Sequence, residues 1–262
     1  MNSSTVSRHP DDIAAAAARF AEDGYVVLPG FVSREVCDAV AADVTASLNP
    51  VLAPAEFEAD VGYPGSPASR SAAGGDTPRR LLNAYSRFAR LRPVVVGPEL
   101  GRCLRAVMDT DQVLLSQCHH NCVMTKAPGY SSVTLWHQDI RYWRFEQPGL
   151  VSLWLALGRE TEENGALKII PGSHRMAFTH DRLDDAKFLK PELPENQALI
   201  ATARNVELEP GDALLFHAQA FHAAGRNTTD RIKLSCVFTY HAAHNAPVPG
   251  TRSAQYASIP VG

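Results

Sequence analysis

Three neighbouring segments decide the fold: QVLLSQCHHNCVMT (112–125), SVTLWHQDIRYW (132–143) and GLVSLWLALG (149–158). Each is rich in β-branched, aromatic and aliphatic residues and is bounded by turn residues, which is typical of strands. Similar segments follow, namely ENGALKIIPGSH (163–174), VELEPGDALLFH (206–217) and RIKLSCVFTYH (231–241). Because no regular helix separates these strands, the pattern argues against a parallel α/β sheet and predicts a β-sandwich or jelly roll.

Helical patterns lie mainly before these strands. Residues 11–23 place acidic side chains in the first turn and apolar residues at helical spacing, and Gly24 ends the pattern. Ser33 can cap a second helix. The apolar face of that helix comprises Val36, Val40, Val44 and Leu48. We therefore expect a mainly β fold with flanking α-helices, the N-terminal ones packed outside the sheets.

The chain is long enough for one large domain, which we expect over residues 11–262 after a flexible tail at residues 1–10. Residues 51–80 are rich in proline and glycine, which predicts a long loop, and residues 176–205 form a second polar excursion. Loops of this length in a compact domain are commonly functional, so a lid over a site is expected. Residues 81–108 return to a helical pattern.

The composition excludes several classes of protein. With 45% apolar and 20% charged residues, the chain can form a sizeable core and is not disordered. A formal net charge of -3 gives no basic excess for binding nucleic acid or membranes, and no apolar run is long enough for a membrane span. The five cysteines form no CxxC pair and no signal peptide is evident, so we expect a cytoplasmic protein with reduced thiols. We also expect a monomer or homodimer.

The tripeptide His137-Gln138-Asp139 is the first candidate for a metal site. Alternate residues of a strand point to the same face, so an imidazole and a carboxylate at this spacing can bind one cation together. A third ligand would complete a two-histidine, one-carboxylate face with free positions for a cosubstrate and oxygen. The pair alone is weak evidence, because 10 histidines and 28 acidic residues among 262 give about one such pair by chance. His9 and Asp11 form one in the tail, without the context of a strand.

The third ligand has to come from later in the chain. The candidates are the histidines His174, His180, His217, His222, His241 and His244. The segment HAQAFHAAGRNTTDR (217–231) contains two of them and ends at Arg231. An arginine on the next strand can bind a dicarboxylate through two parallel hydrogen bonds. Each of these residues alone is more commonly structural, but together they indicate a metal site with a dicarboxylate beside it.

The same segments resemble the phytanoyl-CoA dioxygenase family of iron(II)- and 2-oxoglutarate-dependent oxygenases. The resemblance runs from DGYVVLPGFVS to FTYH near the C-terminus. Its most specific parts are WHQD (136–139), ENGALKIIPGSHR (163–175), PGDALLFH (210–217) and HAAGRNTTDR (222–231). It implies a double-stranded β-helix, which is a cupin-like jelly roll, and a dioxygenase that uses iron(II), 2-oxoglutarate and O2.

The resemblance also assigns roles to individual residues. It implies iron ligands at His137, Asp139 and His222. His222 is preferred over His217 because the family places its distal histidine second in the segment equivalent to HAQAFH. Arg231 corresponds to the arginine that binds the far carboxylate of 2-oxoglutarate. The carboxylate of the HxD pair implies oxygenation or oxidative ring closure, since related halogenases have a small residue in its place.

Three further positions correspond to residues that contact 2-oxoglutarate in relatives. Trp154 matches a tryptophan of the cosubstrate pocket, and a strand-core aromatic is its alternative interpretation. Cys122 and Asn83 fall where those relatives carry methionine and lysine, so both depart from the usual pattern. Ala224 replaces a serine found in some members, which would leave more of the anchoring to Arg231.

The substrate is indicated only by polar residues near the ligand pair. Arg141 is expected on the ligands' face of the strand, and His119 and Lys126 come from the preceding strand. They favour a small polar metabolite or natural-product intermediate with hydroxyls or a carboxylate, and simple surface residues are the alternative. Acyl-CoA hydroxylation is the alternative function, although no clear basic patch for the phosphates is present.

Two other interpretations of the metal residues stay open. A non-enzymatic, cupin-like sensing module would retain His137 and Asp139 and would not need Arg231. A zinc hydrolase could use the same three ligands. Turnover of 2-oxoglutarate and metal preference discriminate these classes from an oxygenase.

Overall fold

A computed structural model describes residues 10–262 of the protein. The predicted tail at residues 1–10 lies outside the described residues apart from Pro10, and so does His9 of the chance pair. Within the described part, no helix combines the length and the apolar character that a membrane span requires.

The helices occur mostly before the central strands, as the sequence predicts. Those described are Pro10–Asp23 (α1), Arg34–Ala46 (α2), Ala84–Arg87 (α3), Arg92–Val95 (α4), Pro98–Met108 (α5) and Pro194–Ile200 (α6). Ser33 caps α2, because its hydroxyl accepts a hydrogen bond from the backbone N–H of Val36 at 3.4 Å. The predicted helix at 11–23 and the predicted cap at Ser33 are therefore confirmed.

The strands form two antiparallel sheets. They are Tyr25–Leu28 (β1), Ala55–Phe57 (β2), Pro78–Leu82 (β3), Val113–Lys126 (β4), Thr134–His137 (β5), Leu150–Ala156 (β6), Leu167–Ile169 (β7), Arg204–Val206 (β8), Ala213–His217 (β9), His222–Ala224 (β10), Lys233–Ala242 (β11) and Ile259–Pro260 (β12). The larger sheet has the order β1-β9-β6-β11-β4-β3-β2, with β12 beside β4, and the smaller has the order β5-β10-β7-β8. This is the predicted jelly roll with helices outside.

The sequence of β11 divides between two apolar clusters. Leu234, Cys236 and Phe238 belong to the cluster between the larger sheet and the helices, whereas Val237 belongs to the cluster between the two sheets. This division follows from the alternation of side chains along a strand. Burial of one large side chain such as Phe238 stabilises the fold by about 1.5–3 kcal/mol. Lys233 begins the face that points between the sheets, where the candidate site lies.

An insertion in β4 brings two histidines towards the same region. The pairing of β4 with β11 moves from Asn121 to Ser116 between consecutive residues of β11, so residues 117–120 have no partner there. His119 has a φ of 59°, in the left-handed region that residues other than glycine rarely adopt. Bulges re-aim side chains next to functional sites. Here the insertion carries His119 and His120.

The segment 51–80 is more regular than the predicted loop. It contains β2 and the first residues of β3, and β3 pairs with β4 at the side of the larger sheet. Glu58 and Arg79 of this segment form a buried ion pair at 3.2 Å. Such short strands among prolines and glycines carry too few residues for the alternation to be read in the sequence. Residues 176–205 are irregular apart from α6, a 3-10 turn and the start of β8.

Candidate metal centre

The three predicted ligands come from neighbouring strands of the smaller sheet. His137 is the last residue of β5, Asp139 begins a 3-10 turn that follows it, and His222 is the first residue of β10. His137 and His222 are direct partners in the antiparallel pairing of β5 with β10. The register of this pair therefore brings together residues that are 85 positions apart in the sequence.

The three side chains converge on one point. Oδ1 of Asp139 lies 3.5 Å from Nε2 of His137 and 3.5 Å from Nε2 of His222. One possible ligand atom from each residue falls within 4.8 Å of the others, and all three residues are buried. These separations suit three ligands around a single cation, each about 2 Å from it.

Backbone carbonyls orient both imidazoles. Nδ1 of His137 is 2.8 Å from the carbonyl oxygen of Leu135, and Nδ1 of His222 is 3.1 Å from that of Ala220. When Nδ1 donates its proton to a carbonyl, Nε2 is the unprotonated nitrogen and can bind a metal. Burial also lowers the pKa of His222 to about 4, so its imidazole is neutral, as a metal ligand must be.

The carboxylate of Asp139 has the charge that a cation would balance. Burial acts to raise its pKa, but the neighbouring His120, His222 and His137 outweigh this and hold the pKa well below its usual range. Oδ2 of Asp139 has no hydrogen-bond partner within residues 10–262. A buried carboxylate is costly unless a cation accompanies it. This donor set therefore fits a divalent metal such as iron(II).

His217, the alternative third ligand, lies elsewhere. Its Nδ1 accepts a hydrogen bond from the backbone N–H of Gln219 at 3.1 Å. Its ring packs 5.4 Å from that of His174 and 6.3 Å from that of Phe20, beside a separate small cavity. Six histidines were candidates for the third ligand. Among the described residues, His222 is the one of these six that belongs to the cluster with metal-ligand geometry.

The ligands line a cavity between the sheets, and four cationic side chains line it as well. Arg79 pairs with Glu58 at 3.2 Å, and Lys233 pairs with Glu160 at 2.9 Å. Arg80, a third cation of the cavity wall, pairs with Glu56 at 3.3 Å. Three of the four cations that line the cavity thus have a carboxylate partner.

Lys126 is the fourth cation of the cavity wall, and it differs from the others. Its ammonium donates hydrogen bonds to the carbonyl oxygens of Ser132 at 2.9 Å and Gly225 at 2.7 Å. No ion pair joins it to an acidic residue in the part of the chain that the structure describes. Burial, followed by the charge of Lys233, lowers its pKa to about 7. An ammonium of this kind is stabilised by an anion bound in the cavity.

Trp154 lies on the wall of this cavity. Its indole N–H is 3.0 and 3.1 Å from the two carboxylate oxygens of Glu160. The ammonium of Lys233 lies 4.8 Å from the centre of its ring. Cys122 is completely buried in the apolar cluster behind the wall and does not line the cavity.

Two further residues expected to bind 2-oxoglutarate also lie outside the cavity. Arg231 is exposed in a bend that precedes β11, where Asn227 donates a hydrogen bond to its carbonyl oxygen at 2.7 Å. Asn83 is exposed with a φ of 59°, just before α3. Arg231 lies outside the cavity because β11 begins only at Lys233, which is therefore the first residue of that strand to point between the sheets.

The residues suggested for the substrate have different positions. Lys126 lines the metal cavity, as described above, whereas His119 lines an adjoining cleft and approaches Ser253 at 3.4 Å. Arg141 belongs to the 3-10 turn and not to a strand, so the alternation expected for it does not apply. Its guanidinium lies 4.1 Å from the centre of the Phe188 ring.

The sequence provided a weak signal for the residues that were missed. Lys233 follows Arg231 by two positions, and the alternation within RIKLSCVFTYH groups it with Val237 on the cavity side. Tyr63, Arg79 and Arg80 come from the segment around 51–80 and carry no local pattern that predicts a site. Arg79 and Arg80 reach the cavity because they lie on β3, which pairs with β4.

The sequence profile of the phytanoyl-CoA dioxygenase (PhyH) family matches residues 20–235 of this chain. The chain belongs to this family. Membership confirms the predicted family of 2-oxoglutarate-dependent dioxygenases. The chain is 28% identical over 251 residues to the ectoine dioxygenase of Sphingopyxis alaskensis, covering 88% of this chain and 76% of the relative. Several other curated relatives match over less than half of this chain and less than half of their own length.

Solved structures of similar shape have the same fold. The carbocyclase SnoK of nogalamycin biosynthesis superposes with a TM-score of 0.73 at 19% identity, over 95% of this chain and 96% of its own. The epimerase SnoN, solved with Fe3+, alpha ketoglutarate and nogalamycin RO, superposes with a TM-score of 0.72 at 21% identity, over 93% and 92%. At this level of identity the superpositions establish the jelly roll.

Proposed function

We propose that the protein is an iron(II)- and 2-oxoglutarate-dependent dioxygenase that hydroxylates or oxidatively cyclises a small polar metabolite or natural-product intermediate. One observation carries the proposal: a buried two-histidine, one-carboxylate cluster shares a cavity with a buried ammonium that has no acidic partner among residues 10–262. The cluster would bind the metal, and the ammonium would bind an anionic cosubstrate. Family membership supports both assignments.

His137, Asp139 and His222 would hold iron(II). Two imidazoles and one carboxylate on one side of an ion leave its other side free, which is the arrangement of non-haem iron oxygenases. When bound, iron(II) with 2-oxoglutarate and O2 supplies the oxidation, in which a C–H bond becomes C–OH while 2-oxoglutarate becomes succinate and CO2. The protein binds and orients the reactants and excludes water.

Lys126 would bind the far carboxylate of 2-oxoglutarate in place of Arg231. Its ammonium has three N–H groups, and two of them already point to backbone carbonyls. The third is available for a carboxylate, and a charge-assisted hydrogen bond in a buried site is strong. Lys233 is a weaker candidate because Glu160 already neutralises its charge. Trp154 would form an apolar wall for the carbon chain of the cosubstrate.

A second cleft, with a volume of about 420 Å³, would bind the substrate. It shares Tyr63, Arg80, His120 and Tyr142 with the metal cavity, so a molecule in it could present a C–H bond to the metal. The hydroxyls of Tyr63 and Tyr142 lie 3.1 Å apart between the two spaces. Polar walls of this kind favour a small metabolite over a bare alkyl chain.

The relatives support a small substrate. One is an ectoine dioxygenase, and the structure of SnoN contains a nogalamycin compound. SnoN and SnoK are an epimerase and a carbocyclase, so this fold accommodates outcomes other than hydroxylation.

The test of this function is succinate release. Metal-free protein is reloaded with iron(II) or zinc(II) and incubated with 2-oxoglutarate in air, first alone and then with pools of small polar metabolites. We expect iron-dependent succinate formation that selected metabolites stimulate, with a gain of one oxygen or a loss of two hydrogens in the product mass. Zinc-dependent hydrolysis without succinate would overturn the proposal, and so would failure to bind 2-oxoglutarate at all.

A further inference from the structure

We propose that His120 is a positioning residue of the metal centre. Its Nδ1–H would hold the second oxygen of Asp139, so that the carboxylate binds the metal through Oδ1 alone. The inference rests on the proposed function, because it concerns the same metal site. His120 itself would bind neither metal nor cosubstrate.

The first observation is that two buried atoms without hydrogen-bond partners lie close to each other. Nδ1 of His120 lies 3.4 Å from Oδ2 of Asp139. Both atoms are buried, and neither has a hydrogen-bond partner in the described part of the chain. Buried polar atoms without a partner are rare in folded proteins. Catalytic hydrogen bonds are often long before the site is loaded and shorten afterwards.

The second observation is that the two oxygens of Asp139 have separate neighbours. Oδ1 is the oxygen that lies 3.5 Å from both ligand nitrogens of His137 and His222. Oδ2 points to His120 instead. A carboxylate whose second oxygen accepts a hydrogen bond binds a cation through one oxygen, whereas a free one can use both. Binding through one oxygen keeps a further coordination position open for the cosubstrate.

The fold fixes the imidazole in this place. His120 lies in the four-residue insertion of β4, and Trp143 packs against it edge-on with 4.9 Å between ring centres. His120 is not part of the cluster with metal-ligand geometry. His119, its neighbour in the insertion, packs 5.1 Å from Trp143 and lines the adjoining cleft only. His119 is therefore a matched control.

The experiment compares four variants with the wild type: His120→Leu, His120→Phe, His120→Asn and His119→Leu. Leucine and phenylalanine remove the N–H, and phenylalanine retains a ring against Trp143. Asparagine retains an N–H close to the position of Nδ1. The readouts are anaerobic titration of metal-free protein with iron(II), then the visible charge-transfer absorption when 2-oxoglutarate is added. Thermal unfolding of each metal-free variant reports its stability.

We expect iron(II) affinity to fall about 10- to 100-fold in His120→Leu and His120→Phe, with a weakened charge-transfer band. His120→Asn should restore most of both. His119→Leu, at a residue of the proposed substrate cleft, should retain the iron(II) affinity and the charge-transfer band of the wild type. Unchanged iron(II) binding in His120→Phe, or an equal loss in His120→Asn, would overturn the inference. If the wild type itself gave no iron(II) binding and no charge-transfer band, the proposed function would fail with it.

Discussion

His137 and His222 are paired residues of adjacent antiparallel strands, and their imidazole rings lie 4.3 Å apart. The pairing of β5 with β10 alone thus brings the two nitrogen ligands together. Asp139 follows β5 directly and needs only the turn after it to reach the same point. A slip of this register by one residue would move one imidazole to the other face of the sheet.

Mutation of the two histidines of HAQAFH should have different effects on iron(II) binding. His222→Ala is expected to abolish iron(II) binding, because it removes one of three ligands of the buried cluster. His217→Ala should leave iron(II) binding unchanged, since His217 lies beside a different cavity. Equilibrium titration of both metal-free variants with iron(II) measures this. The reverse pattern would show that the third ligand was assigned wrongly.

Lys126→Gln should raise the concentration of 2-oxoglutarate needed for half-maximal succinate formation by more than tenfold, since a charged hydrogen bond in a buried site contributes about 1.5–3 kcal/mol. Iron(II) affinity should not change. Arg231→Gln is the matched control, because it removes a cation that is exposed and outside the cavity. An effect of Arg231→Gln equal to that of Lys126→Gln would argue against the assignment.

Binding of 2-oxoglutarate should weaken as the pH rises. Burial lowers the pKa of Lys126 to about 7, so the ammonium is protonated below this pH and loses its proton above it. The groups that influence its titration are Lys233, Arg79, Glu58 and Glu160. A bound carboxylate favours the protonated form, so the pKa of Lys126 is higher in the complex than in the free protein. The affinity should therefore start to fall near the pKa of the free protein and stop falling above the pKa of the complex.

Calorimetry of 2-oxoglutarate binding over a pH series measures this effect. Lys126→Gln should bind weakly at every pH and show a flatter dependence. A wild-type affinity that is constant through neutral pH and above would contradict the role of Lys126.

The buried pair of Glu160 and Lys233 should be important for stability. Glu160→Leu leaves the ammonium of Lys233 buried without its partner, and we expect it to lower the free energy of unfolding by about 3–5 kcal/mol. Replacing both residues, as in Glu160→Leu with Lys233→Met, should cost less than the single change. Urea denaturation gives these values.

An exposed ion pair provides the comparison. Arg159 and Glu209 lie 3.2 Å apart, and both side chains are two-thirds exposed. Glu209→Gln should have little measurable effect on unfolding, because exposed pairs contribute little. Equal losses of unfolding free energy in Glu209→Gln and Glu160→Leu would mean that burial does not determine how much a broken ion pair destabilises the protein.

The sequence by itself determined most of the strands, the first two helices and the three candidate ligands. Alternation and composition are local properties, so they can be read without coordinates, and the family resemblance selected His222 from six histidines. The tertiary structure decided which cations reach the cavity. Whether Arg231 or Lys233 points between the sheets depends on the residue at which β11 starts to pair, and Lys126 is distinctive only because acidic residues from distant segments neutralise the other cations. Partners such as these, and that of His120 with Asp139, are set by long-range packing and leave no pattern in the local sequence.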